Sequence, residues 1–530
     1  MSLSAMDISY QKNVKDQCRF ARYPTLCVKT LMGSRSGHKL HIDMIYTLLN
    51  KTISETKLPV YDLPMFVSQF GVQHAQRAQS VTEYCEALMS MSSKRLRQSL
   101  EALIESPRKN KQDIQTWLSA ALTFQEACKD SATGLGLPGD LMTQISQKMS
   151  YVSQLTSNPL AFVNRITGKP KNNNNKNTST RRLAEDDHDH DGDEKQHGIF
   201  PKWVSPRDRK LLQATTTTIK ANAVVAKDGS GNYKTVSEAF QAASGGRFVI
   251  YVKKGVYQEK IHTKKDGITL IGDGKYETII VGDDSVASGS SMPGSATFTV
   301  TGDGFIARDI GFQNTAGPEG KQALALNIAS DHSVVYRCSV IGYQDTLYAV
   351  ALRQFYRECD IYGTIDFIFG NAAAVFQNCF LGLRRPRGDS YNVILANGRS
   401  DPGQNTGFSL QNCRITVSSD FSPVKHSYSS YLGRPWKEYS RSVVMESTID
   451  DAIAPRGWIE WPGNGKSSLE TLYFAEYANM GPGAGTSKRV TWPGFHVIGT
   501  GEAVKFTVGN FIAGTSWLPS TGVTFISGLQ

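Results

Sequence analysis

Apolar side chains in the first third of the chain recur at helical spacing. Val81, Tyr84, Cys85 and Leu88 fall on one face, as do Leu96, Leu100 and Leu103, and Trp117, Ala121, Phe124 and Cys128 repeat the pattern. This periodicity runs from about residue 10 to 164 and predicts a four-helix-bundle-like domain. Cys85 and Cys128 lie on the buried faces of separate helices and can bridge them. Near the start, CRFARYPTLC sets Cys18 and Cys27 around a Tyr-Pro break that bends the chain back on itself.

The pattern stops at 165–212, through NNNNKNTST, RRLAEDDHDHDGDEKQHG and SPRDRKLLQ. Dense charge and amide with almost no buried-type residue cannot form a core, so this segment predicts a disordered linker. Two dibasic sites, Arg181-Arg182-Leu183-Ala184 and Arg209-Lys210-Leu211-Leu212, offer a processing protease exposed chain. His188, His190 and His197 beside Asp187, Asp189 and Asp191 read as solvated charge, and no metal or cofactor is expected.

From 213 to 530 short β-branched runs bounded by Gly, Asn and Asp take over, such as Phe248-Val249-Ile250-Tyr251-Val252. VYRCSVIG, YRECDIYG and FQNCFLGL align on Cys338, Cys359 and Cys379 at intervals of 21 and 20 residues, and LQNCRITV around Cys413 matches after an insertion. A period near 20 filled by strands predicts one coil of a parallel β-helix per repeat. The whole is an α + β multidomain chain. Stacked coils place these four cysteines in one column, as core thiols or as one disulfide and a spare pair.

Composition narrows the function classes. At 530 residues with 40% hydrophobic content, the chain can bury two cores. No run approaches the ~18 apolar residues of a membrane span. Most of the net charge of +10 falls upstream of residue 213, without the aromatic-interleaved basic stripe of a nucleic-acid module. Eight cysteines with no CxxC pair point to structural disulfides or buried thiols, hence to an oxidising compartment. MSLSAMDISYQKNVKDQC shows no apolar signal core, so the start is expected to be truncated or processed.

The coil repeat also aligns chemistry. Gly342-Tyr343-Gln344-Asp345 and Gly363-Thr364-Ile365-Asp366 occupy equivalent places one coil apart, so the aspartates should stack roughly 5 Å from each other. At an effective dielectric near 20, two negative charges at that distance repel by about 3 kcal/mol, which separates their titrations by roughly two pH units. One is then ionised and one protonated, as a nucleophile and a general acid must be. Gln322, about one coil before Asp345, and Gln344 supply amides suited to an oxyanion. There is no G-x-S-x-G, the downstream histidines His262, His332, His426 and His496 are scattered, and Gly463-Asn464-Gly465-Lys466-Ser467 reads as a turn.

GYQDTLY (342–348), GTIDFIFG (363–370), LGRPW (432–436), GVYQE (255–259) and WLPSTGV resemble pectin methylesterase motifs, and the resemblance covers 215–530. CRFARYPTLC and WLSAALTFQEAC (117–128) are similar to the pectin methylesterase inhibitor domain, and the dibasic sites resemble that family's processing motifs. The resemblance implies a right-handed parallel β-helix that hydrolyses methyl esters of homogalacturonan, with Asp366 as nucleophile, Asp345 as general acid and then base, and Gln344 as oxyanion donor assisted by Gln322. Arg434 would pair with Asp366, and Trp436 would stack on a galacturonate ring. It further implies disulfides Cys18–Cys27, Cys85–Cys128 and Cys359–Cys379, secretion to the cell wall, and a linker protease and an inhibitor protein as partners; whether Asn50 and Asn177 are glycosylated is left open by the sequence.

Met292 stands where the family has a substrate-contacting Thr, Lys321 replaces a common His, and the family's TAQGR reads LANGR at 395–399. These changes bear on substrate affinity rather than on the reaction. The rival readings are a pectin-cleaving β-helix hydrolase, against which Gln322, Gln344 and Arg434 argue, and a non-catalytic pectin- or esterase-binding protein, against which both aspartates argue.

Overall fold

The computed structural model describes residues 3–33, 41–59, 63–133, 139–167, 220–463 and 465–530. The linker expected over 165–212 lies outside the described residues from 168 onward, as do both dibasic sites.

Among the described residues, seven helices build the N-terminal unit: α1 (Leu3–Cys18), α2 (Pro24–Met32), α3 (His41–Glu55), α4 (Leu63–Phe70), α5 (Val72–Glu105), α6 (Lys111–Thr133) and α7 (Leu141–Asn164). Helices α3, α5, α6 and α7 form the bundle, and α1 and α2 make a hairpin closed by the Cys18–Cys27 disulfide. Cys85–Cys128 ties α5 to α6, and both cysteines are buried. The apolar faces read from the spacing point inward: Val81, Cys85, Leu88, Phe124 and Cys128 share one core cluster, and Leu96, Leu103 and Ala121 another. A buried polar chain crosses the bundle. Thr156 Oγ1 donates to Gln125 Oε1 (2.9 Å) and Gln125 Nε2 to Ser92 Oγ (3.0 Å), which fixes the relative rotation of α5, α6 and α7. Among the described residues no helix is long and apolar enough to cross a membrane.

The C-terminal unit is three parallel sheets of 11, 8 and 7 strands wound as one β-helix. A coil runs, for example, through Arg353–Arg357, Asp360–Gly363 and Ile368–Gly370, and the next through Ala373–Gln377, Phe380–Leu383 and Asn392–Asn397. The corner between the first two strands of a coil is a single left-handed residue: Arg337, Glu358, Asn378 and Asn412 have φ of 49°, 54°, 55° and 51°. Each precedes one of the repeat cysteines, so the sequence repeat marks this corner.

The Cys359–Cys379 disulfide is not formed. Cys338, Cys359, Cys379 and Cys413 are all free buried thiols. Stacked parallel strands repeat the same side-chain direction from coil to coil, so neighbouring Cβ atoms run alongside rather than toward each other. Each Sγ lies against the carbonyl two residues back, at 3.4 Å for Cys338 and Cys359 and 3.6 Å for Cys379 and Cys413. Burial pushes the thiols of Cys338, Cys359 and Cys379 well up, so they stay protonated.

The two units pack on each other through a shared apolar cluster, which joins Ala78 and Phe124 to Ala296, Tyr348 and Phe369, and through paired charges. Arg95 with Lys94 holds Asp303 (2.6 and 2.9 Å), Arg353 reaches Asp113 (2.6 Å), and Arg22 meets Asp401 and Glu438 (3.2 Å each). Trp117 Nε1 donates to Asp331 Oδ2 at 3.0 Å. Burial alone would raise the Asp331 carboxyl, but Arg353 holds it far below the ordinary range.

Candidate active site

Asp345 and Asp366 each stand two residues ahead of a strand of the seven-stranded sheet, Leu347–Ala349 and Ile368–Gly370. These strands pair in register, Leu347 with Ile368, so the aspartates occupy equivalent positions on adjacent coils. Both adopt left-handed backbone, φ 61° and 51°, a conformation that Asp tolerates better than most residues. The approach of the two coils requires Gly363: a Cβ there would meet Phe367 Cβ at 2.2 Å and the Tyr343 carbonyl at 2.7 Å. Gln322 and Gln344 bridge as parallel partners on consecutive coils, as the spacing predicted. Among the described residues neither amide side chain is engaged in a hydrogen bond, so both are available as donors.

Arg434 arrives on the strand Ser430–Pro435, two strands beyond that of Asp366. Its neighbour across the ladder is Ala396, whose small side chain leaves the path open. Nε donates to Asp366 Oδ1 (2.8 Å) and Nη2 to Asp366 Oδ2 (2.5 Å), while Nη1 donates to the Tyr391 hydroxyl (2.8 Å). The guanidinium also lies 4.2 Å from the Trp461 ring centroid.

Asp345 has no such partner. Its carboxyl is pushed well above the ordinary range, first by burial and then by the charge of Asp366. Burial raises Asp366 too, but the Arg434 fork pulls against it. Of the pair, Asp366 therefore ionises first and Asp345 keeps its proton.

The same register that stacks the aspartates stacks aromatics three residues later. Tyr348 and Phe369 lie with centroids 4.3 Å apart, and Trp436 meets Phe369 edge-on at 6.0 Å. Gly398 makes room for Trp436, since a Cβ there would sit 2.7 Å from its ring. Beside this aromatic floor is a cavity of about 410 Å³ lined by Met292, Gln322, Tyr348 and Trp436 of the β-helix, and by Val81, Tyr84, Ala127 and Asp130 of α5 and α6.

A family model described as "Pectinesterase" matches residues 222–515, which is more than half of the chain. The chain belongs to the pectinesterase family. A second model, "Plant invertase/pectin methylesterase inhibitor", matches 12–162. Similar curated proteins include "Probable pectinesterase/pectinesterase inhibitor 54" of Arabidopsis thaliana, 51% identical over 514 residues (95% of this chain, 90% of that one). "Pectinesterase 2" of Citrus sinensis is 49% identical over 458 residues, covering 86% and 83% of the two chains. A solved pectin methylesterase from carrot is 53% identical with a TM-score of 0.57, and covers 59% of this chain and 99% of its own.

In this pectinesterase the inhibitor-like helices lie over the aromatic cleft. Tyr84 faces Tyr348 across the same cavity, and Lys437, next to Trp436, pairs with Asp130 at 2.6 Å. Burial raises the Asp130 carboxyl in spite of Lys437. Of the residues expected in the site, Met292, Gln322 and Trp436 line this one cavity, Gln344 bridges to Gln322 and precedes Asp345, and Arg434 grips Asp366 on the next coil. Tyr348, Phe369, Tyr391 and Trp461 were not among the residues read from the sequence. Tyr348 and Phe369 carried a signal, since each follows its motif aspartate by three residues, whereas Tyr391 and Trp461 sit in insertions outside the coil repeat.

Proposed function

We propose that the chain hydrolyses methyl esters of homogalacturonan to methanol and pectate. Asp366 attacks the ester carbonyl carbon, and the amides of Gln344 and Gln322 donate to the oxyanion that forms. As the intermediate collapses, Asp345 gives its proton to the departing methoxide, and the galacturonyl group remains on Asp366 as an anhydride. Asp345, now a carboxylate, takes a proton from water, whose oxygen attacks the acyl carbon. Asp366 leaves as the carboxylate and the pair is reset. Trp436, Tyr348 and Phe369 offer faces on which the sugar rings lie.

The observation that carries this reading is the asymmetry of the pair: Arg434 grips both oxygens of Asp366, while Asp345 is buried without a cation of its own. Release of methanol from methylated pectin with no shortening of the polymer tests it, and shortening without methanol would replace it with the hydrolase reading.

The second part of the proposal concerns the helical unit. Tyr84 and Asp130 occupy the space beside Tyr348 and Trp436 that a polymer would need, which supports a restrained intact chain freed by a protease acting near Leu212. A secreted, cell-wall setting accords with the two disulfides.

A further inference from the structure

The segment 384–391 leaves the strand Phe380–Leu383 and returns to the strand Asn392–Asn397. Its tip carries the exposed charges Arg385, Arg387 and Asp389, and the one ion pair there, Arg387 with Glu319 at 2.6 Å, is solvent-exposed on both sides and contributes little. Its two ends are different. The backbone N–H of Arg384 donates to the Gly363 carbonyl (2.9 Å), three residues before Asp366. The Arg384 side chain reaches one coil further, two from its own: Nη1 donates to the Gly342 carbonyl (3.0 Å), Nη2 to the Tyr343 hydroxyl (2.7 Å), and the guanidinium stands 3.8 Å from the Tyr343 ring centroid. Gly342 and Tyr343 lead directly into Gln344 and Asp345. At the other end, the Tyr391 hydroxyl accepts from Arg434 Nη1, which aims the remaining two donors at Asp366. Asn392 Nδ2 closes the base of the segment on the Arg384 carbonyl (3.1 Å).

We propose that segment 384–391 braces both carboxylates, with Arg384 and Tyr391 as positioning residues: Arg384 locks the turn bearing Gln344 and Asp345 to the turn bearing Asp366, and Tyr391 locks Arg434. The inference rests on the reading of Asp345 and Asp366 as the reacting pair. The aspartates sit on left-handed turns ahead of their strands; backbone bonds already join the two turns, from Asp345 N–H to the Ile365 carbonyl (3.0 Å) and from Thr364 N–H to the Tyr343 carbonyl (2.9 Å), and Arg384 adds the side-chain tie that fixes their orientation. A nucleophile and an acid must hold their spacing to well under ~1 Å, since a misplacement of that size costs about 100-fold in rate. Arg384 makes this tie with a fork and a stacked face, which Lys cannot reproduce.

The test measures kcat, KM and the pH profile of methanol release, after cleavage at a protease site built into 168–219 and removal of the helical unit. Arg384→Ala is expected to lower kcat about 10- to 100-fold with KM within about twofold, and Arg384→Lys, which keeps one donor, to recover part of the loss. Tyr391→Phe is expected to move the acid limb of kcat to higher pH, because a loosened Arg434 stabilises the Asp366 anion less. Arg387→Ala, at the tip, should leave kcat unchanged. The brace is overturned if Arg384→Ala and Tyr391→Phe both keep kcat within twofold and the acid limb in place. A kcat loss in Arg387→Ala equal to that in Arg384→Ala, or an Arg384→Lys no better than Ala with Tm falling in step, overturns it as well. Wild-type protein that releases no methanol in the same assay refutes the esterase reading itself, and the brace falls with it.

Discussion

Single side chains decide the chemistry through their unequal surroundings. Asp366→Asn should abolish methanol release, because an amide cannot form the anhydride, and turnover above a few per cent would take the nucleophile role from Asp366. Asp345→Asn should lose roughly 100- to 10,000-fold through missing proton transfer. It should also be the more thermostable protein at neutral pH. The native Asp345 carboxyl is raised, so between the ordinary carboxylate value and that raised value the folded state binds more protons than the unfolded one, and stability falls as pH climbs through this window. Asn carries no such penalty. The Tm advantage of the variant should therefore be absent near pH 3, grow above ~4 and level off beyond the raised value, and a constant difference across pH would contradict the assignment. Weakening the Arg434 fork with Arg434→Lys should shift the acid limb of activity upward, since the Asp366 anion loses its bidentate partner.

Elements explain what was and was not legible. The coil period revealed the β-helix, the stacking of Asp345 on Asp366 and the place of Gln322, because a parallel coil repeats side-chain direction as faithfully as it repeats residue type. That same property defeated the Cys359–Cys379 pairing taken from family likeness: identical directions stack thiols rather than join them. Helical periodicity located the inward faces of α5 and α6 and the Cys85–Cys128 bridge. The docking loop at 398–407, where Gln404 Nε2 donates to the Ser119 carbonyl (2.9 Å) and Asn405 Nδ2 to Thr116 Oγ1 (2.9 Å), had no period to betray it. Alkylation under denaturing, non-reducing conditions followed by peptide mass mapping should label Cys338, Cys359, Cys379 and Cys413 and leave the other four unlabelled, and unlabelled Cys359 and Cys379 would restore the pairing. Replacing Cys85 and Cys128 with Ser should cost the helical unit about 2–4 kcal/mol, visible as an earlier melting transition with the β-helix transition unmoved.

At the scale of the molecule, the two units meet through Arg95–Asp303, Arg353–Asp113 and Arg22–Asp401 and through an apolar cluster that joins Ala78 and Phe124 to Ala296, Tyr348 and Phe369. Arg95 and Arg353 are nearly inaccessible to solvent, so breaking such pairs by reversing one partner should cost about 3–5 kcal/mol each. Arg95→Glu combined with Asp113→Lys should thus loosen the docked helices and raise methanol release from the uncleaved chain. Unchanged activity of the uncleaved variant would refute restraint by docking. The placement of α5 and α6 over Tyr348 and Trp436 has a consequence in time. A ribosome finishes α7 at Asn164 well before it adds Arg434, roughly 15–50 s earlier at ~5–20 residues per second. A bundle rich in local contacts folds within milliseconds, so it is complete while the coils are still being translated. If the helical unit restrains the enzyme as proposed, the cleft winds against a cover that is already there, and no stage of synthesis leaves the finished pair of aspartates open.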